Sequence, residues 1–197
     1  MAEISVLQLR AAPETLAGLT PLAREGFGVL ARPGRTLRET LTKDLGLCPE
    51  CVEERIQTVF LDGSPVDDID QDRAQPGCTL ALAAAMPGVA GIAMRRGSPV
   101  GVFRESVTHH ADARALDRAE PFELTLKLFN SVAVECLANV LVHGVVVRAA
   151  RLAELLETNP EALAEASFTL DGQPLDRAAA VRALHNLPGT LRLEALL

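Results

Sequence analysis

The sequence predicts an α+β protein made of two tandem domains, residues 1–86 and 121–197, joined by a hairpin-like connecting segment at 87–120. Three observations point there. VFLDGSPVDDID at 59–70 recurs as FTLDGQPLDRAA at 168–179. Each copy follows two apolar, strand-like runs and a helix-like stretch. Each then leads through a Pro-Gly pair into a last apolar run. Strand, strand, helix, short strand, final strand, read twice, describes an antiparallel hairpin with a helix laid across a mixed sheet.

The elements follow in order. ISVLQLR (4–10) and FGVLAR (27–32) read as the first two strands. Thr36 and Glu39 form a T-x-x-E capping box ahead of Leu37, Leu41 and Leu45 at helical spacing, with Gly46 as the C-terminal cap. Thr58, Val59, Phe60 and Leu61 suit a strand. Asp62-Gly63 suits a tight hairpin turn, because Gly accepts positive φ. Pro65 cannot donate to a ladder, so the return strand is expected to be short and at an edge. CTLALAAAM (78–86) reads as a buried strand.

In the second half, FELTLKLF (122–129) and a run around NVLVHGVVV (139–147) are the strands. RLAELLE (151–157) is a short helix stopped by Asn159-Pro160. Phe168, Thr169 and Leu170 lead into Asp171-Gly172, then Pro174, a polar stretch, Pro188-Gly189 and the strand TLRLEAL (190–196). Between the halves, IAM (92–94) and VGVF (100–103) are expected to form a hairpin around Arg96-Gly97-Ser98.

The repeated pattern apolar-x-x-Gly-x-x-apolar-x-Asp, a turn-rich stretch and then Thr-Leu-x-Leu resembles the ubiquitin-like β-grasp superfamily. The resemblance covers roughly residues 3–90 and 121–197. PGCTLALAAAMPGVAG (76–91) is similar to the closing strand and tail of the sulfur-carrier branch. The resemblance implies two tandem β-grasp domains, and a β-grasp surface used for protein contact. Carriers of that branch use a C-terminal Gly-Gly, whereas this chain reads Leu193-Glu194-Ala195-Leu196-Leu197. The second domain is therefore not expected to be a carrier, and the first would need cleavage after Gly91 or Gly97.

Composition narrows the function. The chain is 48% hydrophobic and 23% charged, enough apolar material for a packed core. Six Phe with no Trp or Tyr leave the core to aliphatic residues and remove the platforms on which single-stranded nucleic acid stacks. A net charge of −7 opposes phosphate binding, so nucleic acid is not an expected partner. MAEISVLQLRAAPE does not read as a signal peptide. The apolar stretch at 81–94 is too short to span a bilayer, so no membrane association is expected. Four cysteines at irregular spacing fit a reducing, cytoplasmic compartment better than a disulfide framework.

Several clusters carry residue types that could do chemistry. Cys48-Pro49-Glu50-Cys51 is a C-x-x-C, but zinc needs four ligands and no second C-x-x-C exists. The two thiols read as small, half-buried apolar residues where the helix joins the next strand. Ser106, His109, His110 and Asp112 read as exposed linker residues. Asp67, Asp68, Asp70 and Asp72 read as a solvated acidic turn, lacking the Gly and Glu of a calcium loop. Arg95, Arg96, Val102, Phe103 and Arg104 of the connecting segment form the candidate interaction surface. The expected function is therefore non-catalytic protein binding without catalytic, metal or cofactor residues. The partner is a protein or a second copy of the chain. Sulfur-carrier-related or thiol-dependent sulfur transfer is the alternative.

Overall fold

A computed structural model describes residues 4–98, 120–161 and 163–197. The protein is α+β. Its strands are β1 Val6–Arg10, β2 Phe27–Ala31, β3 Thr58–Leu61, β4 Ser64–Pro65 and β5 Thr79–Ala83, followed by β6 Phe122–Leu128, β7 Val145–Arg148, β8 Ser167–Leu170, β9 Gln173–Leu175 and β10 Thr190–Leu196. Among the described residues they form one ten-stranded mixed sheet, ordered β4-β3-β5-β6-β2-β7-β10-β1-β8-β9. The helices are α1 Pro13–Leu16, α2 Thr20–Glu25, α3 Leu37–Glu39 and α4 Gly88–Met94 in the first part of the chain. Those of the second part are α5 Asn130–Glu135, α6 Leu137–Val142, α7 Ala149–Thr158 and α8 Arg177–Asn186.

The Asp-Gly turns form as expected. Asp62 and Gly63 have φ of 49° and 82°, and Asp171 and Gly172 have 47° and 81°. Positive φ at both central residues is the hairpin turn whose twist matches its strands. Pro65 and Pro174 lie in β4 and β9, the two short outer strands, where a missing N–H leaves no ladder bond unmade. The capping box also forms. Glu39 N–H donates to Thr36 Oγ1, and Thr36 N–H donates to a Glu39 carboxylate oxygen, each at 3.2 Å. Leu37, Leu41 and Leu45 are buried. The helix widens after α3, with Leu45 N–H reaching back to Thr40 O at 3.0 Å, and ends at Gly46 with φ 67°. Gly46 is also required sterically, because a Cβ there would lie 1.9 Å from the His143 ring.

The pairing of the first strands differs from expectation. ISVLQLR and FGVLAR do not form a hairpin. β1 runs parallel to β10 and antiparallel to β8, among strands of the second half. β6 runs antiparallel to β2 and parallel to β5, among strands of the first. The sheet therefore does not divide at residues 86–121. Each half lends its first strand to the other. The hydrogen bonds show whose place β1 takes. Asp62 N–H donates to Thr79 O at 2.9 Å, and Thr79 N–H donates to Asp62 Oδ1 at 2.7 Å, tying the turn to β5. In the second half the same two bonds, at 2.9 and 2.7 Å, tie Asp171 to Val6 of β1. The sequence equivalent of Thr79 is Thr190, but β10 sits one place further in, beside β7.

The reason lies in the connections. The chain from β1 to β2 folds into α1, a short 3-10 turn and α2, with Leu16, Leu19, Leu22 and Ala23 buried at helical spacing. The chain from β6 to β7 folds into α5 and α6, with Val132, Cys136, Leu137, Val140 and Leu141 buried. Helical connections carry each strand away from its sequence neighbour, where a two-residue turn would hold it close. LANVLV (137–142) is accordingly helix, with only Val145–Arg148 of the run around 139–147 in strand. The stretch after Pro174 is α8, whose N-cap Asp176 accepts from Ala179 N–H at 2.7 Å.

Burial alternates along the inner strands, with Leu7 and Leu9, Phe27 and Val29, Leu124 and Leu126, and Leu191 and Leu193 buried on one face. The register places all of these on the same side, and the buried residues form a single cluster. The opposite face carries Gln8, Leu30, Lys127, Arg192 and Glu194, partly exposed, as for a sheet packed on one side only. Among the described residues, no helix is long and apolar enough to cross a membrane.

Two outcomes test this fold. In the Gln8→Cys, Thr169→Cys double variant, oxidation should join positions 8 and 169 as mapped by peptide mass spectrometry. Directly opposed antiparallel residues lie about 5.5 Å apart at hydrogen-bonded positions, within disulfide reach. A β1–β2 hairpin would give no such link. Leu41→Ala should lower stability by about 2–5 kcal/mol in urea titration, the range for truncating a fully buried leucine.

Candidate functional site

The connecting segment is the first place to look. Its described part is α4 rather than one arm of a hairpin, so IAM (92–94) is helical. Pro87 precedes the helix in extended conformation, and Arg95 ends it. Val89 is 83% exposed and Ile92 56% exposed, one helical turn apart and so on one face. Arg95 is exposed. Arg96 is half-buried and turned inward, its Nη2 donating to Val52 O and Ile56 O at 2.7 Å each. Its N–H donates to Gln57 O at 2.9 Å. Burial pulls the Arg96 pKa below the usual arginine value. Arg96 thus holds α4 to the first half and is not presented to a partner. Val102, Phe103 and Arg104 lie outside the described residues, as do Ser106, His109, His110 and Asp112.

The C-x-x-C stands in a different local structure from the one its sequence suggests. A second helical segment begins after Gly46, and Cys48 stands at its start with Pro49 next. Cys51 N–H donates to Cys48 Sγ at 3.2 Å, which holds the Cys48 sulfur against the Cys51 backbone. Val52 N–H bonds to Cys48 O and Ile56 N–H to Cys51 O, each at 3.1 Å, so this helix also widens before it ends. Cys48 is exposed and Cys51 half-buried. The Cys51 sulfur touches the sulfur of Cys136, 3.0 Å away, at the junction of α5 and α6. Both are free thiols, and Cys136 is fully buried. Burial raises the Cys51 pKa, and burial with the neighbouring Cys51 drives that of Cys136 well above the usual thiol range. Nearby, Arg55 pairs with Glu135 at 3.6 Å, a second contact between the same two elements.

The acidic run has structural duties. Asp68 Oδ1 accepts from Asp70 N–H at 2.8 Å and from Gln71 N–H at 3.2 Å. The carbonyls of Ile69 and Asp72 accept the first free N–H groups of α3, from Arg38 and Leu37. Arg38 bridges Asp70 and Glu53, holding the Asp70 carboxyl below the usual range. Asp72 is buried. The run is therefore a capping platform beneath α3, and not simply a solvated turn. Among the described residues, no group of three His, Cys, Asp or Glu side chains is placed to hold a metal ion.

A cleft of about 220 Å³ opens where β2 and β7 touch, a contact that the described residues make through Gly28 and Val146. On its wall, Arg151 donates to the two Glu25 oxygens at 2.8 and 2.5 Å and to Glu154 at 3.0 Å. No family model, curated protein or solved structure matches the chain.

The inward role of Arg96 is testable. Arg96→Met should lower stability by about 1.5–3 kcal/mol in chemical denaturation, because it strips a charged donor from two carbonyls. A change below 0.5 kcal/mol, the usual surface effect, would return Arg96 to the interaction surface.

Proposed function

We propose that the chain is a non-catalytic protein-binding protein made of two ubiquitin-like, β-grasp-like units that have exchanged strands, and that it binds through α4. The single observation that carries the binding surface is the exposure of Val89 and Ile92 on one face of α4. Apolar side chains presented together in this way, on a segment between the two halves, usually mark a contact with another molecule. The reading of the units is supported by the strand sets β4-β3-β5-β6-β2 and β9-β8-β1-β10-β7. Each has a central parallel pair, an antiparallel outer strand on one side, and an Asp-Gly hairpin with a Pro-bearing edge on the other.

The simplest partner is a second copy, meeting the first about a two-fold axis with the same face on both. Two copies bring four such side chains together, about 6–12 kcal/mol gross at ~1.5–3 kcal/mol each. Association itself costs about 4–15 kcal/mol. The contact is therefore weak and concentration-dependent. Light scattering of the full chain should show a monomer–dimer equilibrium below about 1 mM. The Val89→Asp, Ile92→Asp double variant should be monomeric throughout, with an unchanged Tm because both positions face solvent. A wild-type chain that stays monomeric up to that concentration overturns self-association.

A further inference from the structure

Two thiols that the binding surface does not use touch where the halves meet, and a third, Cys48, accepts from the backbone N–H of one of them. Cys48 is open to solvent, Cys51 lies between, and Cys136 is sealed behind it, in sulfur contact with Cys51. We propose that Cys51 and Cys136 form a reversible disulfide across the exchanged halves, loaded through Cys48 by a small-molecule disulfide of the glutathione class.

The steps balance. The Cys48 thiolate attacks the small disulfide, forming a mixed disulfide and releasing one thiolate of the reagent. Cys51, held beside Cys48 by its own N–H, attacks the Cys48 sulfur and releases the second reagent thiolate. Cys136 attacks the Cys51 sulfur that it already touches and returns Cys48 as a free thiol. Two protein thiols are oxidised, and one reagent disulfide is reduced to two thiols. Thiol–disulfide exchange proceeds by such in-line transfers, and access decides which sulfur is hit first. A buried thiol with a raised pKa is a poor direct target, so the exposed residue supplies the entry.

The bond would fasten the helical turn at Cys51–Arg55 to the α5–α6 junction. Between its ends run β3, β4, β5 and β6, including the strand that the second half lends to the first. A crosslink over so long a segment restricts the unfolded chain more than the folded one. The oxidised protein should therefore melt higher.

The experiment uses the full reduced chain with excess oxidised glutathione, followed by intact mass, non-reducing peptide mapping and melting. The expected result is a loss of two hydrogens, a link between positions 51 and 136, Cys48 and Cys78 open to alkylation on unfolding, and a rise in Tm reversed by a dithiol. Cys48→Ser, an exposed change, should form the same link measurably more slowly, since the reagent must then strike the half-buried Cys51 instead of an open thiol. Cys51→Ser should stop at a glutathione adduct on Cys48. A chain that keeps four free thiols overturns the proposal. So does a final link between positions 48 and 51. Cys48→Ser oxidising at the wild-type rate overturns the entry role.

Discussion

The parallel pairs β5–β6 and β1–β10 are the interactions on which the rest of the molecule depends. Each joins a strand of the first half to one of the second. β1 buries Leu7 and Leu9 between β10 and β8, and β6 buries Leu124, Leu126 and Leu128 between β2 and β5. Without β1, β8 and β10 would each face water with an open row of N–H and C=O groups. Without β6, the same would hold for β2 and β5. Strands of the two halves interleave within one sheet, which explains why the buried residues form one cluster instead of two.

The exchange also determines which helices meet. Because β6 lies beside β5, the helix that follows it, α5, packs against β5 and over the first half. That places Cys136 on Cys51 and Glu135 beside Arg55, across 85 residues of sequence for the thiols. The approach of His143 to Gly46 has the same origin. A glycine that reads as a helix cap turns out to be needed twice, for its positive φ and for the ring packed against its Cα. The link between sequence and site therefore runs through the strand order and not through local motifs.

Features that need only neighbouring residues were legible. The capping box at Thr36 and Glu39, the Asp-Gly turns, the edge prolines and the stripe of Leu37, Leu41 and Leu45 all formed where their sequence signals lie. Helix signals also stand in the stretches between the strand-like runs. Leu16, Leu19 and Leu22 repeat every three residues, and Asp176 precedes an alanine-rich run, both marks of helix. NVLV is β-branched enough to resemble strand, yet it is helical because its apolar side lies on β10 and Gly144 turns the chain at φ 82° before β7 starts.

The sequence by itself determined the class, α+β, and the repeated hairpin, because turn chemistry and apolar periodicity act over a few residues. Only the tertiary structure decided which first strand joins which sheet, since β1 and β6 are both apolar alternating segments that satisfy either place equally well in pattern. What separates the two places is the length and helicity of the connections and the packing of leucines from distant strands. The contact between Cys51 and Cys136 belongs to that second kind of information. It arises when a lent strand carries its following helix across the molecule, and no spacing along the chain records it.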